Sequence, residues 1–385
     1  MNQSTINIIK ATAPLVAEHA SEITTLFYKT MFANSPEAAT FFNVANQGAG
    51  RQPQALANAV IAYALNIDNL SALGDTVSLI AAKHCGLQVL RQHYHIVHDN
   101  LMIAVAEVLT PAITPEIAAA WSEAVTFLSN ILIAAEEKLY AAAESRTGGW
   151  RGWKNFVVSD ITTTATDTFS LVPEDGSTTA FVFTPGQYLS IRVDVNSDGS
   201  FTSPRHYTVT SKSGDKCLQI STKRLENGTV THFMHDVLTV GGVVQLSPPF
   251  GPFTLRQDSS RPAVLISAGI GRTPMKAFLD SLIASGQSPL TVHVDKNEEA
   301  VPFRSYFEVA NPGRNQYYFT EKTGRPDAAE IIVKTFIRDH GAEFTFYVCG
   351  PTTFMQEIAH SLVAEGIAMR DIKWEAFSPQ LACPM

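Results

Sequence analysis

The chain has 385 residues, 45% of them hydrophobic and 17% charged, and a formal net charge of −8 at pH 7. This length allows two or three domains, and the composition is that of a globular protein rather than a disordered one. The acidic balance argues against a nucleic-acid partner, because binding phosphates requires a clustered basic surface.

The cysteines and the N-terminus indicate a cellular compartment. The four cysteines, at positions 85, 217, 349 and 383, lie far apart and form no CxxC pair. This spacing argues against a disulfide framework or a zinc site and favours a reducing environment. The N-terminus lacks the basic start and apolar run of a signal peptide. No continuous apolar run reaches the roughly 18–20 residues that span a bilayer. We therefore expect a cytoplasmic protein with no stable membrane insertion.

The residue pattern changes twice along the chain and predicts three domains. Residues 1–146 carry apolar residues at helical spacing, which predicts helices over 14–32, 52–66, 77–85, 91–109 and 115–143. Residues 147–257 predict a small antiparallel β-barrel with a short helix at 230–238 and strands over 155–164, 166–174, 187–195, 206–212, 217–225 and 243–249. Residues 258–385 alternate strand and helix, which predicts a parallel α/β sheet.

One histidine in the first domain stands out. The periodicity of VSLIAAKHC (77–85) places His84 on the apolar face of its helix. A neutral imidazole there is either a satisfied core histidine or a metal ligand, and position alone favours the core role. Tyr94 and Glu136 follow downstream, and such groups fix a heme-ligating ring and raise its basicity. Taken singly, Tyr94 is better explained as a boundary aromatic and Glu136 as a solvated helix charge.

Candidates for the opposite side of a heme lie in two predicted helices. Tyr28 occurs in LFYKTMF, and Gln52 and Leu56 are one helical turn apart. A tyrosine hydroxyl and an amide can donate hydrogen bonds to bound O₂. The alternatives are a half-buried core tyrosine and a helix N-cap.

The segments FYKTMF, FFNVANQ with RQPQALANAV, IAAKHCGLQV with HYHIV, and AEEKLY resemble the globin domain of bacterial and yeast flavohemoglobins. The resemblance covers essentially all 385 residues. It implies that His84 is the proximal heme ligand. Around this ligand it implies the proximal partners Tyr94 and Glu136, the distal residues Tyr28, Gln52 and Leu56, the pocket walls Phe27 and Phe42, and Lys83 near the path between heme and flavin.

Three ordered motifs in the middle domain indicate a flavin site. They are PGQY (185–188), PRHYTV (204–209) and ENGTVTHFMH (226–235). Arginine can hold a phosphate, tyrosine can lie against the flavin ring, and backbone N–H groups at a helix start suit a pyrophosphate. The set resembles the flavin domain of ferredoxin-reductase-like proteins. The resemblance implies FAD contacts from Tyr188, Arg205, His206, Tyr207, Thr208, Gly228, Val230 and Thr231.

Two strand-to-helix turns in the last domain indicate a nicotinamide nucleotide. The first, AVLISAGIGRTPM (263–275), could by itself be a simple strand-to-helix turn. The second, YVCGP (347–351), matches the nicotinamide side of the same reductases. The resemblance implies contacts from Gly269, Gly271, Arg272, Thr273, Pro274, Cys349, Gly350 and Pro351, with Glu375 and Phe377 beside the flavin. Cys349 is alternatively a buried structural thiol. The chain is short for the family around 296–345, and Arg272 in the glycine turn leaves NADH or NADPH open as the donor.

The resemblance across the three domains implies a nitric oxide dioxygenase with one heme b and one FAD per chain. NAD(P)H reduces FAD, FAD reduces the heme, and heme-bound O₂ reacts with NO to give nitrate. The resemblance implies a monomer and admits lipid or imidazole-type ligands in the distal pocket. The alternative functions are an O₂-binding or sensing globin, and a general NADH-dependent flavin reductase of quinones, peroxides or ferric chelates.

Overall fold

The structure is a computed structural model that describes residues 1–36, 38, 51–226, 228–256, 261–323 and 328–377. Within these ranges, side chains are not described for 51–55, 71, 323, 328–332 and 335.

The N-terminal domain is all-helical. Its described helices are α1 (Gln3–Glu18), α2 (Ala20–Asn34), α3 (Arg51–Leu65), α4 (Gly74–Gly86), α5 (His93–Leu109) and α6 (Pro115–Ser145). The apolar faces of α1, α2, α3, α5 and α6 meet in one core that contains the buried side chains of Ile9, Phe27, Met31 and Trp121. Cys85 of α4 packs with Tyr140 and Ala143 of α6. This confirms the predicted all-α domain, because each helix has only one strongly apolar face to bury.

The single helix expected over 14–32 is wrong in its extent. The chain is helical from Gln3, where the Asn2 side chain accepts a hydrogen bond from the Thr5 N–H at 2.9 Å. Pro14 lies inside α1 although proline favours a first turn. The helix breaks at His19, whose φ of −102° and ψ of 10° leave helical geometry. The break lets α1 and α2 pack on the same core.

Helix α6 is long and apolar enough, by length and composition alone, to cross a membrane. One face of the helix packs on the N-terminal core. Ala120, Trp121 and Ala124 are buried in that core, and Glu136 is buried farther along the helix. The Thr114 side chain accepts a hydrogen bond from the Ile117 N–H at 3.2 Å and caps its first turn.

The middle domain is an antiparallel barrel, as predicted. Its strands are β1 (Lys154–Thr163), β2 (Asp167–Pro173), β3 (Tyr188–Arg192), β4 (Arg205–Thr208), β5 (Leu218–Thr222) and β6 (Val243–Leu246). They pair in the order β4-β3-β6-β1-β2-β5, and a bridge between Val209 and Ile220 joins the two outer strands. Helix α7 (Thr229–His232) continues into a π-helical turn, Phe233–Val237.

The last domain is a parallel sheet flanked by helices. Its strands are β7 (Ala263–Ala268), β8 (Leu290–Asp295), β9 (Asn315–Phe319), β10 (Thr345–Cys349) and β11 (Ile372–Glu375), in the order β11-β10-β7-β8-β9. The described helices are α8 (Arg272–Ala284), α9 (Arg304–Ala310), α10 (Thr320–Thr323), α11 (Ala328–His340) and α12 (Thr352–Ala364). The strand order reverses between β7 and β10, and such switch points open a ligand crevice at the carboxyl ends of the strands.

The two predicted nucleotide turns meet at this switch point. Gly269 has a φ of +53°, a conformation that favours glycine. A Cβ added at Gly271 would lie 2.4 Å from the Cys349 carbonyl oxygen and 2.7 Å from the Gly350 nitrogen. The turn after β7 therefore packs on the turn after β10 only because residue 271 has no side chain.

We expect Gly271→Ala to lower the free energy of unfolding of the C-terminal domain by about 1–3 kcal/mol, because backbone atoms cannot move aside as side chains do. Urea unfolding followed by tryptophan fluorescence measures the change. Gly74→Ala is the matched control, since no atom lies within 4 Å of its added Cβ. Equal stability of the two variants would contradict the prediction.

Candidate functional site

Three helices converge on His84. Its Nδ1 lies 2.7 Å from Glu136 Oε1 and 3.0 Å from the Tyr94 hydroxyl, and that hydroxyl also donates to Glu136. Burial, and then the Glu136 charge, raise the pKa of Tyr94 far above its usual range, so its hydroxyl keeps its proton. A carboxylate that accepts from both groups places the ring proton on Nδ1 and leaves the lone pair on Nε2.

The free nitrogen of His84 fits an iron ligand. Nε2 has no hydrogen bond to any residue that the structure describes, and the side chain is 31% exposed. No cluster of three or more His, Cys, Asp or Glu suited to a bare metal ion occurs among the described residues. A single histidine suits heme, because the porphyrin would itself supply four nitrogen ligands to the iron.

The distal candidates are partly described. Tyr28 is buried on α2, and its ring meets that of Phe27 edge-on with centroids 4.8 Å apart. Burial raises the pKa of Tyr28 above its usual range, so its hydroxyl remains a donor. Leu56 on α3 is half-buried against the same core. Phe42 and the side chain of Gln52 lie outside the described residues.

Two ionisable groups interact across the first and last domains. Lys83 lies next to His84 and Glu375 lies at the end of β11, and each shifts the pKa of the other. Burial raises the pKa of the Glu375 carboxyl to about 7, and the Lys83 charge opposes the rise. Burial lowers the pKa of Lys83, and Glu375 opposes that change. The sequence predicted both residues as cofactor neighbours, but only the fold brings them together.

The predicted flavin residues of β3 and β4 lie side by side, since Tyr188 pairs with Thr208 and Leu189 with Tyr207. The Tyr188 hydroxyl is buried and has no hydrogen-bond partner in the described part of the chain. Such an orphaned group is usually satisfied by a ligand or water. This arrangement fits a bound flavin beside these two strands.

The 228–231 segment offers backbone groups. The Thr231 hydroxyl donates to the Gly228 carbonyl at 3.0 Å and accepts from the Leu225 N–H at 3.3 Å. The Val230 side chain is buried in the barrel core. Both side chains therefore serve the fold. Contact of the backbone N–H groups of this segment with a pyrophosphate stays a prediction.

Arg272 is turned into the C-terminal domain. Its side chain is 1% exposed, with Cζ 3.8 Å from the Phe307 ring centroid and 5.2 Å from that of Tyr317. One guanidinium nitrogen donates to the Tyr317 hydroxyl at 3.1 Å. Burial lowers its pKa to about 10. These contacts are structural, and its contact with a cofactor phosphate stays a prediction.

Cys349 and Phe377 flank the end of β11 differently. The Cys349 thiol is fully buried and donates to the Glu375 carbonyl at 3.3 Å, and burial raises its pKa. These are contacts of a structural thiol, so its nicotinamide contact stays a prediction. Phe377 is 51% exposed, and its contact with a flavin ring stays a prediction.

Contacts between barrel and sheet include residues that the sequence did not single out. Predicted Thr273 donates to Thr208 at 3.3 Å. Lys276, one turn later on α8, donates to the Thr210 carbonyl at 2.5 Å. Lys223 pairs with Asp295 at 3.0 Å. A lysine within the apolar run MKAFL was a usable signal for Lys276, whereas nothing in the sequence pairs residues 223 and 295.

Glu375 gives a pH dependence with a definite sign. The unfolded chain loses this proton near its ordinary pKa of 4.5 and the folded chain near 7. Stability from this group is therefore complete below about pH 4.5 and falls by about 3 kcal/mol as the pH rises to 7 and beyond. We expect Glu375→Gln to flatten this part of the unfolding free-energy curve, measured by urea titrations across pH. The exposed Glu357→Gln is the control, and an unchanged slope in Glu375→Gln would disprove the assignment.

Family models match two of the three domains. The model described as Globin matches residues 25–132, and the Oxidoreductase FAD-binding domain model matches residues 156–255. These ranges cover helices α2 to α6 in part and most of the barrel.

Relatives and solved structures cover the whole chain. A flavohemoprotein of Halalkalibacterium halodurans is 34% identical over 98% of this chain and 97% of its own length. One of Bordetella pertussis is 37% identical over 96% of each chain. The crystal structure of a Malassezia yamatoensis flavohemoglobin with bound FAD and heme matches with a TM-score of 0.84 and 29% identity, covering 98% of this chain and 99% of that one.

The FAD/NAD-binding domain of a nitric oxide dioxygenase from Vibrio cholerae matches 58% of this chain with a TM-score of 0.51 and 28% identity, over 97% of that domain. The matches to full-length relatives extend across all three domains. The chain therefore belongs to the flavohemoprotein family of oxidoreductases.

Proposed function

We propose that this chain is an NAD(P)H-dependent nitric oxide dioxygenase that holds one heme b and one FAD and converts NO and O₂ to nitrate. The observation that carries the proposal is the His84 imidazole, held by Glu136 and Tyr94 on a helix that abuts a flavin-type barrel. When bound, heme supplies the iron at which O₂ and NO react, and FAD divides a hydride into single electrons.

The proximal residues favour oxygen chemistry over storage. Glu136 accepts a hydrogen bond from the His84 Nδ1–H at 2.7 Å, and this bond increases electron density at Nε2. A more basic proximal ligand pushes electron density toward the iron. Tyr94 holds the carboxylate in place by its own hydrogen bond. This set gives His84 the role of an electron-donating ligand.

The distal residues combine apolar side chains with one hydrogen-bond donor. Tyr28, Phe27 and Leu56 are the distal residues that the family resemblance implies, and burial keeps the Tyr28 hydroxyl protonated as a potential donor. Apolar neighbours would favour O₂ and NO over water, and one donor would stabilise negative charge that develops during oxygen chemistry.

The reductase half separates this proposal from an O₂ carrier or sensor. The turn residue Thr273 contacts barrel strand β4 through Thr208, so the nucleotide crevice faces the flavin strand. The similar Vibrio cholerae domain is described as part of a nitric oxide dioxygenase. Electron supply of this kind is superfluous for reversible gas binding. A monomeric state, a cytoplasmic location and lipid or imidazole ligands in the distal pocket stay predictions of the sequence.

The purified chain should consume NO with NADH or NADPH only when O₂ is present, and should form nitrate in step. An NO electrode with and without O₂, together with nitrate analysis, measures this. His84→Ala should abolish NO loss and leave flavin reduction by the nicotinamide intact. NO loss that does not need O₂ would reject the proposal, and NO loss that survives in His84→Ala would favour a general flavin reductase.

Two adjacent glutamates provide a matched test of the proximal ligand. Glu136→Gln should weaken electron donation from His84 and lower the Fe–His stretching frequency of the reduced heme in resonance Raman spectra. Glu137→Gln is the control, because Glu137 is exposed and pairs with Arg151 rather than His84. Identical frequencies in the two variants would show that Glu136 has no electronic role.

A further inference from the structure

Strand β4 turns one side chain toward the globin domain. The His206 Nδ1 lies 2.7 Å from the Ser190 hydroxyl, and its ring centroid is 4.7 Å from that of Tyr188. Both partners belong to β3, the neighbouring strand. His206 is flanked in sequence by the predicted flavin contacts Arg205 and Tyr207, so its position is coupled to theirs through a short stretch of extended backbone.

The globin side of this contact is Gly86, the last residue of α4 and two positions after His84. A Cβ added at Gly86 would lie 3.0 Å from His206 Cε1, 3.1 Å from Ser190 Oγ and 3.3 Å from Tyr188 Cε2. These distances are shorter than ordinary van der Waals contacts of 3.5–4.0 Å. The backbone of the heme-bearing helix therefore touches the reductase directly at His206.

The His206 side chain is exposed at this edge of β4. The charged groups that act on it are Lys83 on α4 and Arg205 on β4, and the Tyr188 phenol faces its ring.

We propose that His206 is a positioning residue for electron transfer: it holds flavin strand β4 against heme helix α4 and thereby sets the separation of the two cofactors. The inference rests on the proposed binding of heme and FAD. Each electron that leaves the reduced flavin reduces one ferric heme to the ferrous state.

Anaerobic stopped-flow mixing of the full, cofactor-loaded chain with NADH separates the two steps, because flavin and heme bands are followed independently. We expect His206→Ala to lower the ratio of the heme-reduction rate to the flavin-reduction rate several-fold. His206→Gln, whose amide can still bond to Ser190, should recover most of the loss. Normal heme reduction in His206→Ala, with both cofactors bound, would overturn the inference.

Gly86→Ala tests the same contact from the globin side without touching a predicted flavin residue. It should also slow heme reduction, whereas Gly74→Ala on the same helix should not. The double variant His206→Ala with Gly86→Ala should be less impaired than the product of the single effects, because the added methyl then has room. Strictly multiplicative effects would overturn the inference. Absence of heme or flavin bands in the unaltered protein would instead reject the proposed function.

Discussion

The hydrogen bond between the His84 imidazole and the buried Glu136 carboxylate constrains the whole globin domain. A buried carboxylate is costly unless its oxygens are satisfied, and here His84 on α4 and Tyr94 on α5 satisfy it from two helices. The same bond selects the ring nitrogen that stays available. Packing of three helices and the chemistry of the ligand are therefore set by one buried charge.

Strand β4 occupies the central place between the other two domains. On one side His206 touches Gly86 of the heme helix, and on the other Thr208 accepts a hydrogen bond from Thr273 of the nucleotide turn. The approach to the heme helix depends on Gly86, because a Cβ there would meet His206, Ser190 and Tyr188. Gly271 has the same role within the last domain, where it lets the two predicted nucleotide turns pack together.

Charges reinforce this arrangement across the domain boundaries. Lys83 and Glu375 belong to the first and last domains, and each shifts the pKa of the other. Lys223 of the barrel pairs with Asp295 of the parallel sheet and also donates to the Ala300 carbonyl at 2.7 Å. Groups of this kind interact strongly only where water is excluded, so they depend on the domains being packed together.

The domain types and most of the candidate site residues can be predicted from the amino-acid sequence. Helical periodicity, alternating strands and two strand-to-helix turns are local patterns, and His84 with Glu136, or Tyr188 with Thr208, were identified from them and from the family resemblance. Helix ends were less certain, as the break at His19 shows, because the core decides where a helix turns. The contacts between residues distant in the chain depend on the tertiary structure. It turned Arg272 inward onto Phe307, buried the Cys349 thiol, and brought Lys83 to Glu375 and Gly86 to His206. These pairs are far apart in the chain, and no local pattern encodes a contact that arises from the packing of separate domains.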